Sequence, residues 1–202
     1  MSRRAAALPF LLCLAALTQA VPARADLALD ADWIRRIEGG EAAVDVRADP
    51  RAHGGQVRAA IDIAAPPQVV WRIILDCDRA ARMTPSVRRC TVLSRAPDGR
   101  SETREHRVRW SLLLPPLRSV SELTLSPYRS IAFRCVDGDI KDCEGRWLLT
   151  PLAGGAGTRV IYENRAVAPF GLPSGVAASA MRRDVPAALL ALRRECLLET
   201  RP

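Results

Sequence analysis

From position 87 to about 170 this chain reads as one strand after another, separated only by short breaks. The candidate strands are 87–95, 102–114, 118–125, 130–136, 145–152 and 158–168. Between them stand Pro97-Asp98-Gly99, Pro115-Pro116, Pro127, Asp137-Gly138-Asp139 and Gly154-Gly155-Ala156-Gly157. Such residues set turn geometry or remove a ladder donor. Connections this short join neighbouring antiparallel strands and leave no room for the crossover that a parallel sheet needs. Whatever else the chain contains must fit against a meander.

The flanking segments supply the rest. Residues 56–65 alternate Val57, Ala59, Ile61 and Ile63 with more polar partners, the period of a half-buried strand. Pro66-Pro67 ends that strand and opens a helix, since proline is tolerated in a first turn. Val70, Ile73, Ile74 and Cys77 then recur at helical spacing with Trp71 close by, and 78–83 reads as a second short helix closed by Pro85. Ahead of these, 26–55 is a polar lead with a possible extra strand around 41–49. After Gly171 and Pro173, the residues Val176, Ala180, Val185, Leu189, Leu192 and Cys196 form one apolar helical face. Pro186 is expected to kink or divide that helix. With 202 residues, 49% hydrophobic and 26% charged, the chain has the composition of a globular protein and the length for one well-cored domain. That domain spans 56–202.

The class is therefore α+β: strand, two short helices, six strands, long helix. A long helix that follows a curved antiparallel sheet buries its apolar face on the concave side. Val108, Trp110, Leu112, Ile131, Phe133 and Trp147 are expected to point inward. A cavity left between sheet and helix suits one apolar ligand of modest size. Trp110, Phe133, Trp147 and Tyr162 are candidate walls, with the Tyr162 hydroxyl kept for orientation. Met181, Val185 and Leu189 would close the space from the helix, methionine adapting to ligand shape. Arg109 and Glu122 are candidates to hold a polar head group, or else form a surface pair.

Residues 1–25 read as a cleavable export signal. Arg3 and Arg4 precede an uncharged apolar stretch, 5–20, and Ala23-Arg24-Ala25 offers small residues where a signal peptidase needs them. Cleavage near Ala25 would lower the formal charge from +8 to +5, and the expected location is periplasmic or secreted. In such an oxidising compartment cysteine pairs form disulfides in preference to metal sites. Cys135 and Cys143 flank an Asp/Gly-rich turn, and Cys77 and Cys90 flank a short helical connection, so each pair is a candidate bridge. Cys196 is the odd one, read as a small buried residue. Mild positive charge allows peripheral contact with an anionic membrane surface. Lys141 is the single lysine among 30 basic residues. Without exposed aromatics interleaved among the arginines, nucleic-acid binding is not expected.

A catalytic or metal centre is harder to find. The two histidines lie in unlike settings: His53 in a polar turn, and His106 on a strand, where it is read as a surface residue with the pocket edge as alternative. Asp76 and Asp78 read as helix caps. No metal set, nucleophile–base pair or phosphate-binding glycine loop is evident, and no cofactor is called for.

Several segments carry a resemblance. Ile61-Asp-Ile-Ala-Ala-Pro-Pro-Gln-Val-Val-Trp71, Leu75-Asp76 and Thr84-Pro85-Ser-Val-Arg-Arg resemble the opening of a START-like domain. Gly138-Asp139-Ile-Lys141, Gly145-Arg-Trp147, Leu149-Thr-Pro151, Gly157-Thr-Arg-Val160-Ile-Tyr162 and the Leu172-Pro173 lead resemble one branch of the SRPBCC superfamily. That branch holds the polyketide cyclase/dehydrase and coenzyme Q-binding START proteins. The resemblance covers about 56–198. It implies a helix-grip fold, about seven antiparallel strands gripping the C-terminal helix around a hydrophobic pocket. It also implies binding or transport of a lipid or quinone-like molecule, with a cyclase/dehydrase-type enzyme as the alternative.

Overall fold

The computed structural model describes residues 28–49, 53–113, 115–140, 142–169 and 174–201. The expected export segment and the Leu172-Pro173 lead lie outside the described residues. The chain divides into Met1–Asp30 and a second unit, Ala31–Pro202, and the description that follows concerns the second.

Its elements run α1 (Ala31–Glu38), β1 (Ala43–Asp49), β2 (Gly54–Ile63), α2 (Pro67–Leu75), α3 (Cys77–Met83), β3 (Val87–Arg95), β4 (Ser101–Val108), β5 (Leu117–Ser126), β6 (Ser130–Gly138), β7 (Cys143–Pro151), β8 (Thr158–Val167) and α4 (Ser174–Glu199). The strands form one antiparallel sheet in the order β1-β2-β8-β7-β6-β5-β4-β3. The sheet thus has eight strands where about seven are expected. The added one, β1, pairs along the outer side of β2 from Ala43↔Ala60 to Asp49↔Gly54. Helix α1 has no expectation in the sequence: eight residues with one buried side chain, Ile37, are too short to display a period.

Val57, Ala59, Ile61 and Ile63 of β2, Leu123 and Leu125 of β5, Ile131 of β6, Leu149 of β7 and Val160 of β8 cover the concave face. Met181, Val185, Leu189, Leu192 and Cys196 of α4 pack onto it. The helix crosses close to one half of the sheet, lying against β2 and β1 and also against α2 and α3. Gly55 makes that approach possible, because a Cβ there would stand 2.9 Å from Met181 Sδ and 3.0 Å from the Ala178 nitrogen. Helix α4 runs unbroken through Pro186. Buried side chains on both sides of the proline, Met181 and Val185 before it and Leu189 and Leu192 after it, hold the two halves against one surface. Packing outweighs the loss of one helical hydrogen bond.

Strand β4 stops at Val108, six residues short of its expected end. Val108 pairs with Val87 on one side and Leu117 on the other, and neither neighbouring strand extends beyond that pair. The following segment leaves the sheet, so Leu112, expected to face inward, is 82% exposed and Leu113 94%.

Disulfides join Cys77 to Cys90 and Cys135 to Cys143, with Cα separations of 5.2 and 5.0 Å. The first ties α3 to β3 and the second ties β6 to β7. Asp76 caps α3 by accepting from the Asp78 amide at 3.0 Å. Cys196 is free and buried, and burial pushes its thiol up to about 12. Replacing Cys77 and Cys90 together by serine is expected to cost about 3 kcal/mol, the loop-closure value for a bridge of this span. Denaturant unfolding of the oxidised protein against the double variant measures it.

Candidate functional site

Where α4 sits on the β1–β2 half, the opposite half of the curved sheet stands away from it. The gap is a cavity of about 290 Å³, near the lower end of the small-ligand range. Three kinds of wall enclose it.

The first wall is aromatic. Trp147 of β7 and Tyr162 of β8 are partners in register, with ring centroids 4.3 Å apart. Phe133 of β6 stacks on Tyr162 at 6.4 Å. Phe133 lies over Gly145, its partner on β7. A Cβ at Gly145 would meet the Phe133 ring tip at 2.4 Å and the Glu163 carbonyl oxygen at 2.3 Å, so the aromatic wall requires glycine there. Burial raises the Tyr162 hydroxyl well above the ordinary tyrosine range, against a smaller opposing effect of its hydrogen bond with Asn164. Tyr162 is a neutral phenol at any physiological pH.

The second wall is polar and comes from β4 and β5. Alternation places Glu102, Arg104, His106 and Val108 on one face of β4. Across the ladder Arg104 stands opposite Ser121 and His106 opposite Ser119, and all four line the cavity. Arg104 and Glu102 are 5% and 4% exposed. The Arg104 guanidinium donates to Glu102 Oε1, from Nε at 2.8 Å and also from Nη2, and Nη2 donates to the Leu75 carbonyl at 3.3 Å. Glu102 also accepts from Arg95 Nε at 2.8 Å. Its charge is therefore matched on both sides, as a buried carboxylate requires. Burial, with Arg104 beside it, lowers His106 to about 4. His106 is neutral at pH 7.

The third wall is helical. Met181, Asp184, Val185 and Leu192 of α4 face the space, with Ile74 and Leu75 of α2, Met83 at the end of α3, and Trp110. Asp184 is buried and accepts from Arg183 Nε at 2.8 Å. Arg183 Nη1 also donates to the Trp110 carbonyl at 3.2 Å, which fastens Trp110 to α4.

Trp110, Phe133, Trp147, Tyr162, Met181 and Val185 are thus brought together around one cavity. Leu189 is fully buried in the core beside it and does not line it. Arg109 and Glu122 stand apart from the cavity and from each other. Glu122 lies opposite Thr103 on the other face of the sheet and pairs with Arg134. Arg109 follows the end of β4, its amide donating to the Ser86 carbonyl at 2.8 Å. Their expected surface pair does not form, because the register sets Glu122 opposite Thr103, five pairs along the ladder from Val108↔Leu117 at the strand end beside Arg109. His106 moves the other way, from surface residue to cavity wall. The missed group is Arg104, His106, Ser119, Ser121, Asn164 and Asp184. Its signal was the parity shared by Arg104, His106 and Val108. Among the described residues no cluster of metal-ligating side chains occurs and no helix is long and apolar enough to cross a membrane.

A sheet gripping a long C-terminal helix around an internal cavity defines the START-like, helix-grip class. Residues 63–193 match the family described as polyketide cyclase/dehydrase and lipid transport, and the chain belongs to that family. Solved structures agree on the fold. TTHA0849 from Thermus thermophilus is 22% identical with a TM-score of 0.62, the match covering 72% of this chain and 99% of that one. The STAR-related lipid transfer protein from Xanthomonas axonopodis is 19% identical with a TM-score of 0.61, covering 77% and 93%. The Zhui aromatase/cyclase from a Streptomyces species is 19% identical with a TM-score of 0.55, covering 73% and 93%. No curated protein matches the chain.

The neutral His106 has a consequence for stability. Its folded value, about 4, lies below the unfolded value near 6.5, so the unfolded chain binds the proton first as pH falls. Stability should be level above about pH 6.5, decline between 6.5 and 4, and level off again in this contribution below 4. The loss should approach roughly 3 kcal/mol. His106→Gln should remove that part of the slope, measured by denaturant unfolding across the pH range.

Proposed function

We propose that the protein is an exported binding or transport protein for a hydrophobic small molecule, lipid or quinone-like, held between the sheet and α4. One observation carries the reading: the cavity is walled by Phe133, Trp147, Tyr162, Met181 and Val185 on its apolar sides and is bounded by a hydrogen-bonded Arg104–Glu102 pair. Burying apolar ligand surface there yields about 25 cal/mol per Å², while the ion pair is already satisfied and demands nothing of the ligand. Two disulfides support an oxidising compartment, in keeping with the export signal read in residues 1–25 and a periplasmic or secreted location. Leu112 and Leu113, 82% and 94% exposed and two and three residues beyond the cavity residue Trp110, support peripheral contact with an anionic membrane, in keeping with the formal charge of +8.

The test is native mass spectrometry of the protein isolated from its own host, followed by organic extraction. A stoichiometric apolar adduct is expected, and Ala188→Trp, which fills the cavity from a half-buried position on α4 away from the Met181–Gly55 contact, should lose it while remaining folded. Retention of the same adduct by that variant would place the ligand elsewhere and defeat the reading.

A second reading, cyclase/dehydrase-type catalysis in the same cavity, is favoured by His106 alone, a neutral imidazole able to accept a proton beside the ligand space. It predicts that His106→Gln abolishes turnover of a polyketide-like substrate with little loss of binding.

A further inference from the structure

The two disulfides face different surroundings. All four of their cysteines are half-buried, so the contrast lies in what each bridge borders. Cys143 lines the internal cavity. Cys135 Sγ lies 3.3 Å from Ser119 Oγ and 3.9 Å from Ser121 Oγ, and both serines line the cavity too. Cys135 and Cys143 also pack against the apolar cluster of Val87, Val108, Leu117 and Ile140. Cys77 and Cys90 instead line a separate recess, open to solvent, between α3 and the edge strand β3.

Charge sets this recess apart. Arg95 and Asp76, which border it, are matched by Glu102 and Arg79. Arg88 and Arg89 border it as well, are exposed, and have no ion pair among the described residues. Asp78 is the one bordering acid in the same condition, so the excess charge is positive. The two arginines precede Cys90 by two residues and one, within the roughly 10 Å that charges reach at ordinary ionic strength. A partly exposed sulfur in a positive setting is where thiolates attack and depart most readily. The bridge can open without loss of the fold, because β3 stays paired with β4 from Val87 to Arg95 and Arg79 holds α3 to Glu195 and Glu199 of α4.

We infer that Cys77–Cys90 is a thiol–disulfide exchange site for an external thiol carrying negative charge, and that Cys135–Cys143 is a structural bridge. The attacking thiolate bonds to Cys77 Sγ, the bond between the two cysteines breaks, and its electron pair leaves with Cys90 Sγ, which then takes a proton from solvent. Cys77 lies between Asp76 and Asp78, whereas Arg88 and Arg89 stand beside Cys90, so Cys90 bears the departing charge at lower cost. A second external thiolate attacks the external sulfur of the mixed disulfide. Cys77 is released and protonated, and the external compound leaves as its own disulfide. Two external thiols are oxidised as one bridge is reduced. At Cys135–Cys143 the same anion would have to shed its water in an apolar space, which is costly. The exchange site stands apart from what the cavity holds.

The test is reduction of the oxidised full chain by 2-mercaptoethanesulfonate at low salt without denaturant, quenched over time with iodoacetamide and mapped by peptide mass. Cys77 and Cys90 are expected to be alkylated about tenfold sooner than Cys135 and Cys143. Replacing Arg88→Gln and Arg89→Gln together, at exposed positions whose loss leaves no partner unmatched, should slow opening of the first bridge about threefold at low salt. That difference should vanish at high salt. Equal rates for the two bridges, earlier opening of Cys135–Cys143, or an unslowed Arg88/Arg89 variant overturns the inference. So does a Cys77–Cys90 bridge that resists the thiol until the chain unfolds, as followed by circular dichroism of the same samples.

Discussion

The close seating of α4 on β2 is the contact on which the rest depends. Gly55 presents no side chain, and Ala178 and Met181 of the helix come down onto its backbone. This contact lets the helix lie low on the β1–β2 half of the sheet, with Leu189 and Leu192 sealed into the core behind it. A helix seated low on one side of a curved sheet cannot touch the other side. The remaining space must be filled by large side chains or stay open. Here β6 to β8 supply aromatic rings, β4 and β5 supply short or already-paired polar groups, and a cavity remains. Its chemical asymmetry follows from which strands lie beyond the helix's reach.

Most of the architecture was legible in the sequence because a meander announces itself through its turns. Strand β3 falls on the expected residues, and β2 and β5 to β8 within two residues at either end. What failed were properties set by neighbours and not by local pattern. Pro115-Pro116 suggested where β4 must end at the latest, yet the strand ends where its partners run out. Pro186 carries the usual signal of a helix break, and packing on both sides overrides it. Helix α1 is short and mostly exposed, so it leaves almost no apolar trace.

At the site, the aromatic residues were legible because large apolar side chains on the inner face of a curved sheet have few other places to go. The polar members were not, because a charged residue on a strand is more often at the surface. Arg104 and His106 escape that rule through Glu102, which neutralises the arginine, and through the serines opposite them, which leave room. The distinction between Glu122, outward and paired with Arg134, and Glu102, inward and paired with Arg104, is one of strand register alone.

The restraints around the cavity are unevenly distributed. The α2–α3 wall is held covalently through Cys77–Cys90, and Arg79 of α3 reaches Glu195 and Glu199 of α4 at 3.2 and 3.0 Å. The β6–β7 floor is closed by the second disulfide. Trp110 itself is held, among the described residues, by the Arg109–Ser86 backbone bond beside it, the Arg183 bond to its carbonyl and its packing against Val87, Val108, Leu117 and Ile140. Two sides of the cavity are thus held by bonds that a reductant can cut, whereas the Trp110 side depends on packing and single hydrogen bonds.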